Sequence, residues 1–304
     1  MTLALSTSWN AHRFNDGTKL LFEIKQLKFK AIELSFNLKA NLVDSIAKES
    51  RRLGISIQSL HNYCPIPPGL TPAQALPDCY SLAALDEAER GLAVKYTKAT
   101  IDTAAKLGAK AVVLHCGRVQ IADATRQLIN LYNQGEPAQE NFNRLKEEMI
   151  ALRKSQGALF LKQAIASLDE LNLRATQQGV MLGIETRFYH CEIPDISEIG
   201  IILKRFPDSQ IYYWHDTGHA QLMENLGFAK HKDFLELYAD RMIGVHLHDI
   251  SGCRDHLAPL TGQFDFTLLG PYLNKDTLKV IEAHHPATAG DLIKSREFIA
   301  NLYD

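Results

Sequence analysis

The segment Tyr212-Tyr213-Trp214-His215-Asp216-Thr217-Gly218-His219-Ala220 is an apolar run that ends abruptly in a carboxylate, a glycine and imidazoles. Asp-x-x-His at a strand end sets a hard oxygen donor beside a nitrogen donor, which suits a divalent cation or a polar substrate. Burying such groups costs desolvation energy unless charge or hydrogen bonds offset it. Similar endings recur along the chain. Apolar runs finish in Glu33, His61, His115, Glu185, Asp216 with His219, His246 with His248 and Asp249, and Glu282 with His284. Side chains alternate along a strand with period two, so Glu185 shares a face with Arg187, His246 with His248, and Glu282 with His284. A single such histidine is ordinary, since most histidines are not ligands. Several carboxylates and imidazoles on one rim, however, would suffer repulsion and desolvation without a cation. A divalent ion held by two glutamates, an aspartate and a histidine would relieve both costs. Mixed oxygen and nitrogen donors suit Mn, Mg, Co or Zn alike. No helical His-Glu-x-x-His pattern is present, so a zincin is not indicated.

These residues need a scaffold that gathers strand ends. Leu3–Trp9, Ala31–Phe36, Ile55–His61, Ala111–His115, Val180–Ile184, Ile211–Trp214, Met242–His248 and Leu278–Ile281 read as eight short apolar strands. Helical periodicity fills Thr18–Leu27, Leu42–Leu53, Leu85–Leu107, Ile196–Arg205, Lys232–Asp240 and Gly290–Leu302, with Gly54 and Gly108 placed as C-terminal stops. Residues 120–178 read as two or three helices, broken near Gly135-Glu136-Pro137 and at Gly157. Alternating strands and helices imply a parallel sheet with crossover helices. The count of eight, within 304 residues and without a composition break, predicts an α/β (β/α)8 TIM barrel, a single domain over 1–304. It carries a long loop after strand 3 and extra helices after strand 4. A doubly wound sheet is the alternative, and the missing G-x-G-x-x-G turn weighs against it. The loop from Cys64 to Ala84 contains Pro65, Pro67, Pro68, Gly69, Pro72 and Pro77. So long a connection is expected to fold over the mouth of the barrel and limit substrate size.

Composition narrows the function classes. The chain is 46% hydrophobic and 22% charged, with formal net charge −2 and pI near 6.6. Such a balance gives no bulk attraction for nucleic acid or anionic membrane, and neither partner is expected. Five cysteines without a C-x-x-C pair suit a reducing compartment. No basic-then-apolar leader and no 18-residue apolar run is present, so a cytoplasmic location is expected. Whether the chain forms a homo-oligomer is left open.

Smaller signals surround the rim. Arg254, Asp255 and His256 lie together in a Gly- and Pro-marked loop, Ser251–Gly262, and are candidates for substrate binding. Arg187 could bind a substrate oxyanion or neutralise the carboxylates. Trp9, Tyr63, Phe188 and Trp214 could wall a sugar ring or fill a core. Cys116 beside His115 is discounted as a nucleophile pair, because neighbours on a strand face opposite ways.

In order and spacing, Leu60-His61, Val112-Val113-Leu114-His115, Leu182-Gly183-Ile184-Glu185, Trp214 to His219, Gly244-Val245-His246-Leu247-His248-Asp249, Asp255-His256 and Val280-Ile281-Glu282 resemble the xylose-isomerase-like TIM barrel superfamily. That group includes sugar isomerases, ketose 3-epimerases and endonuclease IV. The chain looks most similar to sugar phosphate isomerase/epimerase-type members. The resemblance implies that Glu185, Asp216, His246 and Glu282 ligate one divalent metal. It implies that Glu185 and Glu282 also form an acid/base pair, and that His219 contacts substrate oxygens. In endonuclease IV, histidines matching His61 and His115 hold a second metal, so these two are candidates for a second metal or for substrate. The chain departs from the endonuclease pattern where Asp255 is followed directly by His256 instead of standing as Asp-x-His. The expected activity is metal-dependent isomerisation or epimerisation of a small sugar, sugar phosphate or polyol. A multi-zinc phosphodiesterase and a non-catalytic metal- or sugar-binding barrel are the alternatives.

Overall fold

The computed structural model describes residues 2–303. Eight parallel strands close into a barrel: β1 (Leu3–Ser6), β2 (Ala31–Leu34), β3 (Ser56–His61), β4 (Ala111–Leu114), β5 (Met181–Glu185), β6 (Ile211–Asp216), β7 (Met242–Leu247) and β10 (Leu278–Ile281). Strand β1 closes the ring by pairing with both β2 and β10. Nearly every strand residue is buried, as expected of a parallel barrel jacketed by helices. The jacket comprises α1 (Gly17–Gln26), α2 (Ala40–Leu53), α3 (Glu87–Leu107), α4 (Thr125–Gln134), α5 (Gln139–Gln178), α6 (Ile196–Arg205), α7 (Thr217–Asn225), α8 (His231–Tyr238) and α9 (Ala289–Tyr303). Among the described residues, no helix is long and apolar enough to cross a membrane.

The eight expected strands and the closed topology are all present. Three local expectations are corrected. Gly157 does not break the chain: α5 runs unbroken for 40 residues. One interior glycine costs a helix only about 1 kcal/mol, and here it clears space. A Cβ at Gly157 would stand 3.3 Å from Nη1 of the buried Arg153. That guanidinium donates to Glu198 Oε1 at 3.0 Å, to His190 O at 2.7 Å and to Glu192 O at 2.7 Å, pinning α5 to the β5 loop. Residues 249–257 are not a plain loop but an antiparallel ribbon, β8 (Asp249–Ser251) with β9 (Arg254–Leu257). The helix α7, which starts immediately after β6, was not expected.

Trp214 is not part of a sugar wall. Alternation on β6 turns Trp214 and Asp216 inward and sends Tyr213 and His215 out to the helix layer. Trp214 is fully buried among Ala4, Ala31, Ala111, Val113, Leu278 and Val280, where it plugs the barrel. The flanking strands make room with glycine. A Cβ at Gly183 on β5 would lie 2.8 Å from the indole, and one at Gly244 on β7 only 2.1 Å away. Trp9 is buried as well, its Nε1 donating to Ala287 O at 2.8 Å. The polar ring is built directly on the plug: the Trp214 and His246 rings meet edge to face at 5.1 Å.

Candidate active site

Glu185 ends β5, Asp216 ends β6, His246 lies on β7, and Glu282 follows β10. Parallel strands in register bring these ends to one height; Asp216, for example, pairs with His246 across the β6–β7 ladder. One ligand atom from each of the four lies within 4.8 Å of the other three, and all four residues are buried. His246 Nδ1 is 2.6 Å from Glu185 Oε1, 3.0 Å from Glu282 Oε2 and 3.7 Å from Asp216 Oδ2. Its other nitrogen, Nε2, is 3.1 Å from both oxygens of Glu33 at the end of β2. Glu33 is itself fixed by Ser59 Oγ, which donates to it at 2.7 Å. A proton on Nε2 therefore leaves Nδ1 facing three carboxylates.

Asp216 divides its labour. Oδ1 caps α7 by accepting from His219 N at 2.7 Å, and it lies 2.8 Å from His248 Nε2. Oδ2 is buried and has no hydrogen-bond partner among the described residues. An orphaned carboxylate oxygen facing an imidazole nitrogen and two glutamates fits a divalent cation by position and by donor type. Burial would push the His246 imidazole toward neutrality, but Glu282, Glu33, Asp216 and Glu185 raise it well above the ordinary histidine value. Burial likewise opposes ionisation of Glu185 and Glu282, yet the surrounding imidazoles hold both carboxyls well below the usual range.

On one side of this ring stand His61, His115 and Arg187. His115 Nε2 is 2.7 Å from Glu185 Oε2, and His61 Nε2 is 3.6 Å from the same atom. Arg187, also buried, donates from Nη1 to Glu185 Oε2 at 2.7 Å and from Nη2 to Glu192 Oε1 at 3.1 Å. On the other side the β8–β9 ribbon brings Asp255 and His256 over His219, beside His248, which joins β7 to β8. His219 Nδ1 lies 3.0 Å from Thr186 O, which turns Nε2 toward Asp255 Oδ2 at 3.6 Å. Burial resists its charge, but Asp216, Asp255 and Glu185 push His219 up to about 9. His256 Nδ1 is 2.7 Å from Asp255 Oδ2, and its ring stacks on His284 at 3.9 Å. Arg254 is exposed on β9 at the rim.

Apart from the more deeply set His248, these side chains line a cavity of about 620 Å³, together with Phe36, Phe188, Arg118, Arg126 and the tip of the Pro-rich segment, Leu76-Pro77-Asp78. The long connection after β3 thus lies across the C-terminal mouth. A larger depression, about 790 Å³, lies outside between α3 and α5 and gathers no comparable set of donors. Every candidate from the sequence (His61, His115, Glu185, Arg187, His219, Arg254, Asp255, His256 and Glu282) lines the mouth, with Asp216 and His246 just beneath. Cys116 is buried away from it, and burial pushes its thiol up to about 12. His215 is also outside the site, with Nδ1 2.7 Å from Tyr213 Oη and Nε2 2.9 Å from His231 Nε2. Three residues of the site had no role assigned from the sequence. Glu33 was visible as a strand end but had no assigned partner, while Asp78 and Glu192 sit in loops with no periodic signal.

The family model for xylose isomerase-like TIM barrels matches residues 21–302. The chain belongs to that family. Members of known structure share its fold across nearly their full lengths. A D-tagatose 3-epimerase-like protein aligns at 19% identity, covering 99% of this chain and 97% of its own, with a TM-score of 0.69. The 3-keto-D-glucoside 4-epimerase YcjR of E. coli aligns at 14% identity, 99% of both chains and TM-score 0.70. A xylose isomerase domain protein from Planctomyces limnophilus gives 14% identity, 99% and 95% coverage and TM-score 0.63. In sequence, "Uncharacterized protein y4fM" of Sinorhizobium fredii (strain NBRC 101917 / NGR234) is 27% identical over 179 residues, or 59% of this chain. That match spans about half, 47%, of the Sinorhizobium protein.

Proposed function

We propose that this xylose isomerase-like barrel is a divalent-metal-dependent isomerase or epimerase of a small sugar, sugar phosphate or polyol. The observation that carries the reading is the unpartnered Asp216 Oδ2, set among Glu185, His246 and Glu282 with ligand atoms mutually within 4.8 Å. Those four residues would hold the cation. When bound, it would polarise a carbonyl and the adjacent hydroxyl, which acidifies the intervening carbon–hydrogen bond.

The chain supplies the rest. Glu185 and Glu282 reach the cavity from different strands, so that one removes a proton beside the carbonyl and the other returns a proton. Arg187 and His115 keep Glu185 ionised and aimed, each 2.7 Å from Oε2. His219, with Nε2 turned to the cavity, is placed to hydrogen-bond a substrate oxygen. The Pro-rich segment 64–84, a strap across the mouth, and the β8–β9 ribbon narrow the opening and reduce access of water, which strengthens electrostatic interactions within. The epimerases of similar fold support this reaction class.

A second reading, a multi-metal phosphodiesterase, has one observation in its favour. His61, His115 and Glu185 form another cation-capable group, as do His219, His248 and His256. Against it, the Arg187 guanidinium already occupies Glu185 Oε2, the oxygen that His61 and His115 would share with a second ion. A fixed positive charge there disfavours another.

The deciding experiment incubates the protein with Mn(II) or Co(II) in D2O with a panel of ketoses and inososes. Deuterium entering one carbon is the expected result. No exchange with any sugar, together with cleavage of a duplex containing an abasic site, would reverse the choice.

A further inference from the structure

One buried group at the mouth has no part in holding the cation or in the acid/base pair. Asp78 sits at the tip of the strap, and its side chain is only 3% exposed. Oδ2 is 3.5 Å from Arg118 Nη2 and 3.7 Å from His115 Nδ1. Among the described residues Oδ1 is buried and accepts no hydrogen bond. Two donor-capable atoms in the same corner, His115 Nδ1 and Arg187 Nε, are also buried and unpartnered. All three residues line the cavity. Folded proteins rarely leave such groups unsatisfied, and a carboxylate oxygen without a donor loses the hydrogen bonds it had in water.

The placement of Asp78 is fixed by the strap. On one side Ile66 N donates to Leu38 O at 2.9 Å. On the other, Tyr63 Oη donates to Tyr80 O at 2.8 Å, and Ser167 Oγ of α5 donates to Leu82 O at 2.8 Å. The strap also presses on the β4 loop at Gly117, where φ is +99° and a Cβ would stand 2.2 Å from Ser81 Oγ. Only glycine allows that approach without strain.

We infer that Asp78 is a substrate-binding residue whose Oδ1 accepts a hydrogen bond from a hydroxyl of the polyol chain, so that the strap selects for a hydroxyl at that carbon. The inference rests on the isomerase or epimerase reading of the site. A cation is a poor occupant for this corner. Asp78, His115 and Glu192 together offer three donor atoms, but Arg118 stands 3.5 Å from Asp78 and Arg187 already holds Glu192. A hydroxyl suits it, because it donates to Asp78 and can accept from Arg187 or His115. Burial alone would raise the Asp78 carboxyl, but His115, Arg187 and Arg118 hold it well below the usual range, so its oxygens act as acceptors. His115 bridges to Glu185, its Nε2 2.7 Å from Oε2. A single small sugar could therefore meet Glu185 at one carbon and Asp78 at another. A site built to bond a hydroxyl strongly rejects the analogue that lacks it.

The test is calorimetric binding of D-fructose and D-tagatose, with their 4-, 5- and 6-deoxy analogues, to Mn(II)-supplied wild type, Asp78→Ala and Asp78→Asn. In wild type, one deoxy position should weaken binding by about 10- to 100-fold, the worth of a charge-assisted hydrogen bond. Asp78→Ala should weaken the parent ketose by a similar factor while leaving that one analogue unchanged. Asp78→Asn, which keeps an acceptor oxygen, should recover part of the loss. The proposal is overturned if Asp78→Ala binds the parent within twofold of wild type, if it weakens parent and analogues alike, or if no ketose binds wild type. Solvent deuterium exchange in the same samples separates the two claims. Ketose binding without exchange would overturn the isomerase reading and leave the Asp78 comparison intact.

Discussion

Glu33→Gln should weaken cation binding although Glu33 is not itself one of the four proposed ligands. Both Glu33 oxygens lie 3.1 Å from His246 Nε2, and one accepts Ser59 Oγ at 2.7 Å. Glutamine has nearly the same shape and can keep its oxygen toward His246 and its amide toward Ser59, so packing is preserved while the negative charge is lost. That charge fixes the tautomer of His246 and raises the basicity of Nδ1, the nitrogen that faces Glu185, Asp216 and Glu282. Removing such a supporting carboxylate typically costs 10- to 100-fold in metal affinity, or about 1.4–2.7 kcal/mol. A proton competes with the cation for Nδ1, because the carboxylates raise His246 well above its ordinary value. Wild-type affinity should therefore rise with pH. Loss of the Glu33 charge lowers that proton affinity, which offsets part of the defect at acid pH and leaves the full defect at alkaline pH. Titration with Mn(II), followed by electron paramagnetic resonance across pH 6 to 9, measures both effects. Wild-type affinity in Glu33→Gln at the alkaline end would refute the supporting role of Glu33 and the assignment of Nδ1 as the ligand atom.

Glu282→Gln should lower solvent exchange by roughly 10²- to 10⁴-fold, the range of general acid–base catalysis, with an unchanged circular dichroism spectrum; an active variant would remove Glu282 from the acid/base pair. Acid should destabilise the fold through His231, which burial pushes down to about 4. A depressed histidine favours the folded state above its unfolded value near 6.5, and that stability is lost as pH falls toward 4, by roughly 3 kcal/mol. Urea midpoints at pH 7 and 4.5 check this, and His231→Gln should flatten the difference. His219, raised to about 9, acts oppositely: its stabilisation in the cation-free protein is complete below about 6.5 and lost toward alkaline pH. Gly244→Ala should destabilise by about 1–3 kcal/mol or more by overpacking, since its Cβ would fall 2.1 Å from the Trp214 ring; a thermal midpoint equal to wild type would contradict the plugged interior.

The order of eight apolar runs, each short and followed by helical periodicity, favoured a closed parallel barrel over an open doubly wound sheet, because few topologies satisfy that alternation with eight strands. Strand-end residues were legible for the same reason. A residue ending a parallel barrel strand must lie at the mouth, so the rim was legible as a set, while the choice of Glu185, Asp216, His246 and Glu282 from it as one ligand group came from the family resemblance. Partner choice was not legible. Glu33 and His246 are 213 positions apart, and only barrel closure sets a carboxylate against the back of that imidazole. Asp78 and Glu192 lie in loops whose paths depend on Gly117 clearing Ser81 and on Arg153 crossing past Gly157. Trp214 had the same local pattern as a ligand-facing aromatic, and its place as the plug follows from glycines on the two neighbouring strands. Sequence periodicity records which face of an element is buried, because that is a local property of the backbone. Which side chains meet inside is a property of the closed barrel, and it was decided only when distant strands came together at van der Waals distance.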